Sequence, residues 1–401
     1  MLQRTFKAFQ YRDYRILWFG ACTSSVGTWM QKVAQSWLVL DISQSPFLLG
    51  LDAFLGEIPI FLFSLFGGVL ADRMDRRRVL VASQLVQMGC AFLLAALIGF
   101  GVVQVWHILT LSFIVGSAQA FGGPAYQALV PTLVKPQDLP NAIALNSIQF
   151  NLARVIGPAL GGIAFTKLGY VWCFSLNGMS YVAVIISLVL LRARFIPPPP
   201  GGSILHSMKE GVDFIRHKTA MAALIVLAFL MTALGVPLLT FLPVFAKEVF
   251  QQGPNVFTTM LSISGAGAVA GALFVAYMGN VPNKGRLALL LLAALGIGMS
   301  AFALSRSLVA AYILLFLTGG ALIGVFSMIS SLVQLITGDE MRGRVMSVYN
   351  VAFRGGMPFG NLATGWAVPL FTAPLVMAVN GCLLLVLALY FLLFQRKVAE
   401  L

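Results

Sequence analysis

Residues 47–100 read FLLGLDAFLGEIPIFLFSLFGGVLADRMDRRRVLVASQLVQMGCAFLLAALIGF. Two long apolar runs, near 47–71 and 78–100, flank a loop that gathers Asp72, Arg73, Asp75, Arg76, Arg77 and Arg78. An α-helix rises about 1.5 Å per residue and the hydrocarbon core of a bilayer is about 30 Å thick, so about 20 apolar residues cross it. Each run reads as one crossing, and the charged loop as a connection kept in water.

The same pattern continues on both sides. Candidate spans lie near 14–40, 47–71, 78–100, 106–130, 141–166 and 170–191, then 220–246, 257–278, 286–304, 309–335, 344–367 and 370–395. The expected fold class is an all-α membrane protein with twelve transmembrane helices in two six-helix bundles. Composition agrees: of 401 residues, 59% are hydrophobic and only 10% charged, with mean hydropathy +0.92. A soluble chain carries about 25% charged residues to cover its surface.

The net charge of +13 would suit nucleic acid if the basic residues clustered on a soluble face. Instead they fill short gaps between apolar runs. Arg4, Lys7, Arg12, Arg15, the Arg73–Arg78 loop, Lys135, Arg192, Arg194, Lys209, Arg216, Lys218, Lys284, Arg286, Arg342 and Arg344 fall before the first span or in the even-numbered loops. Arg396 and Lys397 follow the last span. The odd-numbered loops hold only Lys167, Lys247 and Arg306. By the positive-inside bias, both termini are expected in the cytoplasm.

The four cysteines, Cys22, Cys90, Cys173 and Cys382, sit far apart in apolar runs and read as small buried hydrophobes. The first apolar run is too long for the core of a cleavable signal and contains Lys32, so it reads as a retained helix. No Asn-x-Ser/Thr sequon occurs, which fits a bacterial inner membrane.

The expected domains are residues 1–191, a cytoplasmic linker at 192–219, and residues 220–401. The linker opens with Pro197–Pro200, a stiff spacer, followed by Gly201 and Gly202. The stretch ILHSMKEGVDFIRHK then reads as a short amphipathic helix on the membrane surface. The two halves echo each other. Arg154 with Pro158 and Arg354 with Pro358 stand 200 residues apart, and Asp138 precedes the fifth span much as Asp339 precedes the eleventh. Two matched bundles suit alternating access to a central site.

These motifs resemble the major facilitator superfamily over the whole chain. GVLADRMDRRR resembles its cytoplasmic loop signature through Gly68, Asp72, Arg73, Arg76 and Arg77, with Asp75 where a second Gly is usual. GPALGG at 157–162 resembles the antiporter signature through Gly157, Pro158, Gly161 and Gly162, with Ala153 replacing an upstream Gly. Small residues let helices pack closely, so plain packing is the alternative reading. The stretches NAIALNSIQFNLARVIGPALGG and RGRVMSVYNVAFRGGMPFGNLATGW resemble the exporter branch containing the enterobactin exporter and macrolide efflux proteins. The fourth-span Arg of many drug antiporters is absent, and Gln119 lies nearby.

An ionisable residue inside a span is costly and marks a candidate site. Lys32, Asp52, Glu57, Arg154 and Arg354 qualify. Glu57 is the first candidate for a coupling carboxylate, with Asp52 second. A permanent ion pair of Glu57 with Lys32 or Arg154 is the alternative. Ser147, Asn151 and Arg154 share one helical face, as do Asn350, Arg354 and Asn361. These stripes suit a watery cavity that contacts cargo, or bonds that hold one conformation shut. The six tryptophans, Trp29 among them, read mostly as interfacial anchors.

No metal-ligand spacing, nucleophile elbow or nucleotide-binding loop appears, so neither enzyme, metal, cofactor nor ATP-driven pump is expected. The leading expectation is a monomeric, multi-pass, proton-coupled exporter of small amphipathic molecules of the siderophore or drug type. A lipid or lysolipid flippase is the alternative transporter, and a non-transporting sensor or scaffold the alternative of another class.

Overall fold

In the computed structural model of the protein, residues 6–192, 204–279 and 283–401 are described. Arg4, Arg194 and the Pro197–Pro200 run with Gly201 and Gly202 lie outside them, as do the side chains of Asp72 and Asp339. The described residues form helices and connecting turns, with no strand among them.

The first six helices are α1 (Arg12–Ser43), α2 (Pro46–Arg73), α3 (Arg76–Gly99), α4 (Val105–Leu129), α5 (Leu139–Leu168) and α6 (Tyr170–Val189). The linker stretch forms α7 (Ile204–Arg216). There follow α8 (Thr219–Gly235), α9 (Pro254–Met278), α10 (Lys284–Leu304), α11 (Leu308–Leu335), α12 (Asp339–Phe371) and α13 (Ala373–Leu393). Among the described residues, ten helices are long and apolar enough to cross a membrane. The two long helices outside that set, α1 and α12, have 32 and 33 residues, enough for about 48 Å. They are more polar, with several charges in the first turns and Ser, Thr, Gln or Asn residues along their length.

Local chemistry sets the ends of these helices. Asp75, in the place where the loop signature has glycine, accepts a hydrogen bond from the Arg77 backbone N–H at 3.0 Å and so caps α3. Gly169, at φ 85°, makes the turn from α5 to α6. Beyond α8, Pro237 and Pro243 break the span into the short segments Pro237–Thr240 and Leu242–Val244, which end in a π-helical turn, Phe245–Val249. This is the bend that proline imposes on a helix.

The chain divides into two compact units, residues 1–43 with 55–201, and residues 44–54 with 202–401. In the first unit α1 packs on α5 and α6, and α3 packs on α4 and α6. In the second, α8 packs on α12 and more lightly on α13, and α10 packs on α11 and α13. These are the same pairings shifted by half the chain. Residues 44–54 group with the second unit, where Gly50 lies against the Asn361 carbonyl and the Gly365 backbone.

Small residues make the closest approaches. Gly116 of α4 meets the Gly56 carbonyl of α2, and Gly67 meets that of Ala120. In the second unit Gly267 meets Phe316, and Gly271 meets Gly320. Gly68, the glycine of the loop signature, faces open space, so Gly67 is the one that packing requires.

At the water-facing ends, polar side chains tie helices together. Arg76 donates to the Ala128 carbonyl at 2.8 Å, and Arg77 to the carbonyls of Leu191 at 3.1 Å and Val189 at 2.5 Å. Arg77 therefore closes the carbonyl end of α6, where the helix dipole favours a cation. Arg73 is exposed. Asp138, 2% exposed, receives Lys7 at 2.8 Å and the Tyr11 hydroxyl at 2.7 Å. The Ala8 N–H meets Asn141 at 2.8 Å, so the segment before α1 is fastened to the start of α5. In the second unit Glu210 of α7 pairs with Arg344 of α12 at 3.0 Å, and Gly211 lies against the Arg344 backbone.

Two outcomes follow for stability. Arg77→Ala loses about 1.5 kcal/mol, the low end for charged hydrogen bonds because the group is partly exposed. It shortens the thermal inactivation half-life in detergent several-fold. Arg77→Lys restores only part, since one ammonium lacks the guanidinium fork. Arg78→Ala, which removes an exposed pair at 3.8 Å, leaves the half-life nearly unchanged. In the same assay Asp138→Ala costs about 1–3 kcal/mol, because Lys7 and Tyr11 lose a common acceptor.

Candidate functional site

The turn between α1 and α2 decides which charges can meet. Lys32 lies eleven residues before the end of α1 and Glu57 eleven residues after the start of α2. With only Gln44 and Ser45 between the helices, both side chains stand at the same depth, about 17 Å from the turn. The structure brings them together: Lys32 Nζ lies 3.7 Å from Glu57 Oε1. Of the two partners sequence allowed for Glu57, geometry selects Lys32.

Arg154 reaches the same neighbourhood from α5. Its guanidinium carbon lies 5.9 Å from the centre of the Trp29 ring, and the Lys32 ammonium lies 5.4 Å from that same centre. Both distances are within the range of cation–π attraction. Among the described residues, no carboxylate pairs with Arg154. Phe150 of α5 meets the Trp29 ring edge-on, with centroids 6.2 Å apart.

The glycines of the 157–162 segment create this arrangement. A Cβ at Gly157 would strike the Trp29 side chain and the Val26 carbonyl, and one at Gly161 would press on Met30. Without side chains, α5 closes onto α1 just there, and Arg154, one turn earlier, is laid over the indole. Pro158 and Gly162 are buried in the same packing. Gly356 and Gly360 of α12 do the same against Phe229, Thr232 and Ala233 of α8. The packing reading of the segment therefore has direct geometric support.

The interior around the cluster is polar. Asn177 donates to Gln31 at 2.6 Å, Gln35 to Ser112 at 2.8 Å, and Gln149 to Ser25 at 3.0 Å. Gln31 and Gln35 flank Lys32 on α1, so the cluster sits in a framework of neutral hydrogen bonds. Asn151 turns back on its own helix, donating to the Ser147 carbonyl at 2.8 Å.

The other expected residues do not join this group. Asp52 is buried at 8% exposure in the segment that groups with the second unit; three residues further on the chain enters the first unit, which holds Glu57. Gln119 is exposed. On α12, Asn350 and Arg354 are exposed, whereas Asn361 is 3% exposed. Helical spacing puts Arg354 and Asn361 on one face, but at the depth of Asn361 the segment Pro46–Phe54 lies over that face, with Gly50 against the Asn361 carbonyl. Trp29, expected at an interface with water, is the plate of the cluster. Its signal in the sequence was the spacing Trp29–Lys32 on one helix face. Trp18 also lies inside, donating to the Leu145 carbonyl at 3.0 Å.

The fold has close counterparts among solved structures. A peptide transporter, POT, crystallised with alafosfalin, superposes with a TM-score of 0.76 at 15% identity, covering 96% of this chain and 95% of that one. Among curated relatives, the staphyloferrin A transporter of Staphylococcus aureus is 22% identical over 93% of this chain and 94% of its own. Macrolide efflux protein A of Streptococcus pyogenes is 21% identical over 69% and 70%. Residues 3–401 match the family of transmembrane secretion effectors, MFS_3. With an almost wholly helical fold, two units with the same pairings and a match along its length, the chain belongs to the transmembrane secretion effector family of major facilitator transporters.

Proposed function

We propose that this protein exports small amphipathic molecules of siderophore or drug type by alternating access, in exchange for protons. It crosses the bacterial inner membrane twelve times as a monomer, with both termini in the cytoplasm. The observation that carries this reading is the charged cluster of Lys32, Glu57, Arg154 and Trp29 in mid-helix. Such groups are expensive in a membrane and serve cargo or ions where they persist. Efflux is supported by what the two relatives are named for, siderophore transport and macrolide efflux.

The geometry offers a way for proton and cargo to exclude each other. Lys32 stands between the Glu57 carboxylate at 3.7 Å and the Trp29 ring at 5.4 Å. A proton on Glu57 cancels the first attraction and leaves the second. Lys32 then settles on the ring face that an apolar cargo would use. With Glu57 ionised, Lys32 is drawn back and the ring is open. Asp52, buried elsewhere, stays outside this exchange. Arg73, Arg76 and Arg77, with Asp72, act at the cytoplasmic ends of the helices as the gate.

Purified protein in liposomes tests the exchange. An imposed pH gradient is expected to drive uptake of an exported amphipathic dye at least tenfold above the rate without it. Glu57→Gln, which fixes the neutral state, removes that response and also slows cargo–cargo exchange, because Lys32 then stays on the ring. If Glu57→Gln responds to the gradient like the wild type, Glu57 is not the coupling group. If no cargo moves under any gradient, the chain is not an exporter.

A further inference from the structure

The cluster contains two cations and one carboxylate, and the carboxylate is already engaged. Glu57 faces Lys32, while Arg154 has only the Trp29 ring on one side and no carboxylate among the described residues. A guanidinium keeps its charge at any working pH and presents planar, paired N–H donors. In a membrane interior that charge calls for an anion. The indole lies beside the guanidinium, and among the described residues no acceptor takes its N–H donors. The same indole and the edge-on Phe150 ring provide apolar surface beside the donors.

We infer that Arg154 over Trp29 is a receptor for a carboxylate joined to a flat apolar body, and that the cargo of this transporter is accordingly an amphipathic anion rather than an amphipathic cation. The carboxylate takes the guanidinium fork in two parallel hydrogen bonds, and the apolar body lies along Trp29 and Phe150. A cationic cargo would face Arg154 and Lys32, with the Glu57 carboxylate already engaged by Lys32. Gln31, Gln35 and Gln149 offer no replacement, because each is bonded to a neighbour. The inference deepens the exporter reading and rests on it for the word cargo, but the receptor can be tested without transport.

The probes are 1-pyrenebutyrate and its uncharged amide, which differ in charge and little in shape. Binding to the full chain in nanodiscs is read by pyrene fluorescence, each probe referenced to empty nanodiscs. Wild type is expected to prefer the carboxylate about tenfold, the size of one charge-assisted pair. Arg154→Gln brings the ratio near one with the amide affinity unchanged. Arg154→Lys, the variant to use should the first fail to fold, keeps the charge without the fork and gives an intermediate ratio. Trp29→Leu weakens both probes alike. Equal binding of the two probes by wild type overturns the receptor, as does a preference that survives in Arg154→Gln or stays at full size in Arg154→Lys. A protein that prefers the carboxylate but moves nothing in liposomes keeps the receptor and loses the exporter reading. One that transports without preference does the reverse.

Discussion

Lipid offers no hydrogen bonds, so a chain that crosses it must satisfy every backbone group internally. That forces long helices and removes the usual hydrophobic drive between them, leaving close packing and polar contacts to hold the bundle. Glycines at Gly56 and Gly116, Gly157 and Gly161, Gly271 and Gly320, and Gly356 and Gly360 answer that requirement by letting backbones touch. The charged cluster exists because one of these contacts, Gly157 on Trp29, holds α5 against α1 and so sets Arg154 over the indole.

The two units share their helix pairings but differ inside. The first carries side-chain hydrogen bonds between helices, among them Asn177 with Gln31 and Gln149 with Ser25. The second has such bonds too, Asn380 to Thr364 at 3.4 Å and Ser300 to the Ala378 carbonyl at 3.1 Å, beside threonines that bond back to their own helices, Thr232 to the Ala228 carbonyl at 3.1 Å and Thr318 to that of Leu314 at 2.8 Å. Lys32, Glu57 and Arg154 meet in the first unit, whereas Arg354 of the second is exposed.

Much of this was readable in advance. The spans, the linker helix, the bends at Pro237 and Pro243 and the repeat that pairs Arg154 with Arg354 follow from residue order, because hydropathy, proline geometry and helical period act locally. The loop signature was legible too, although Gly67 rather than Gly68 makes its close contact. Trp29 was misjudged because it was grouped with the other tryptophans by residue type, although the candidate span 14–40 already set it mid-helix; that two cations flank its ring shows only in the fold.

Sequence alone determined that this is a helical membrane protein of two matched halves with five charges inside its spans, because burial cost and backbone satisfaction leave a lipid-embedded chain little choice. Tertiary structure alone decided which charges meet. Lys32 takes Glu57, Asp52 goes with the second unit, and Arg154 is left over an aromatic ring. Pairing depends on the depth and rotation of separate helices, and these are fixed only when glycine contacts distant in the chain are made.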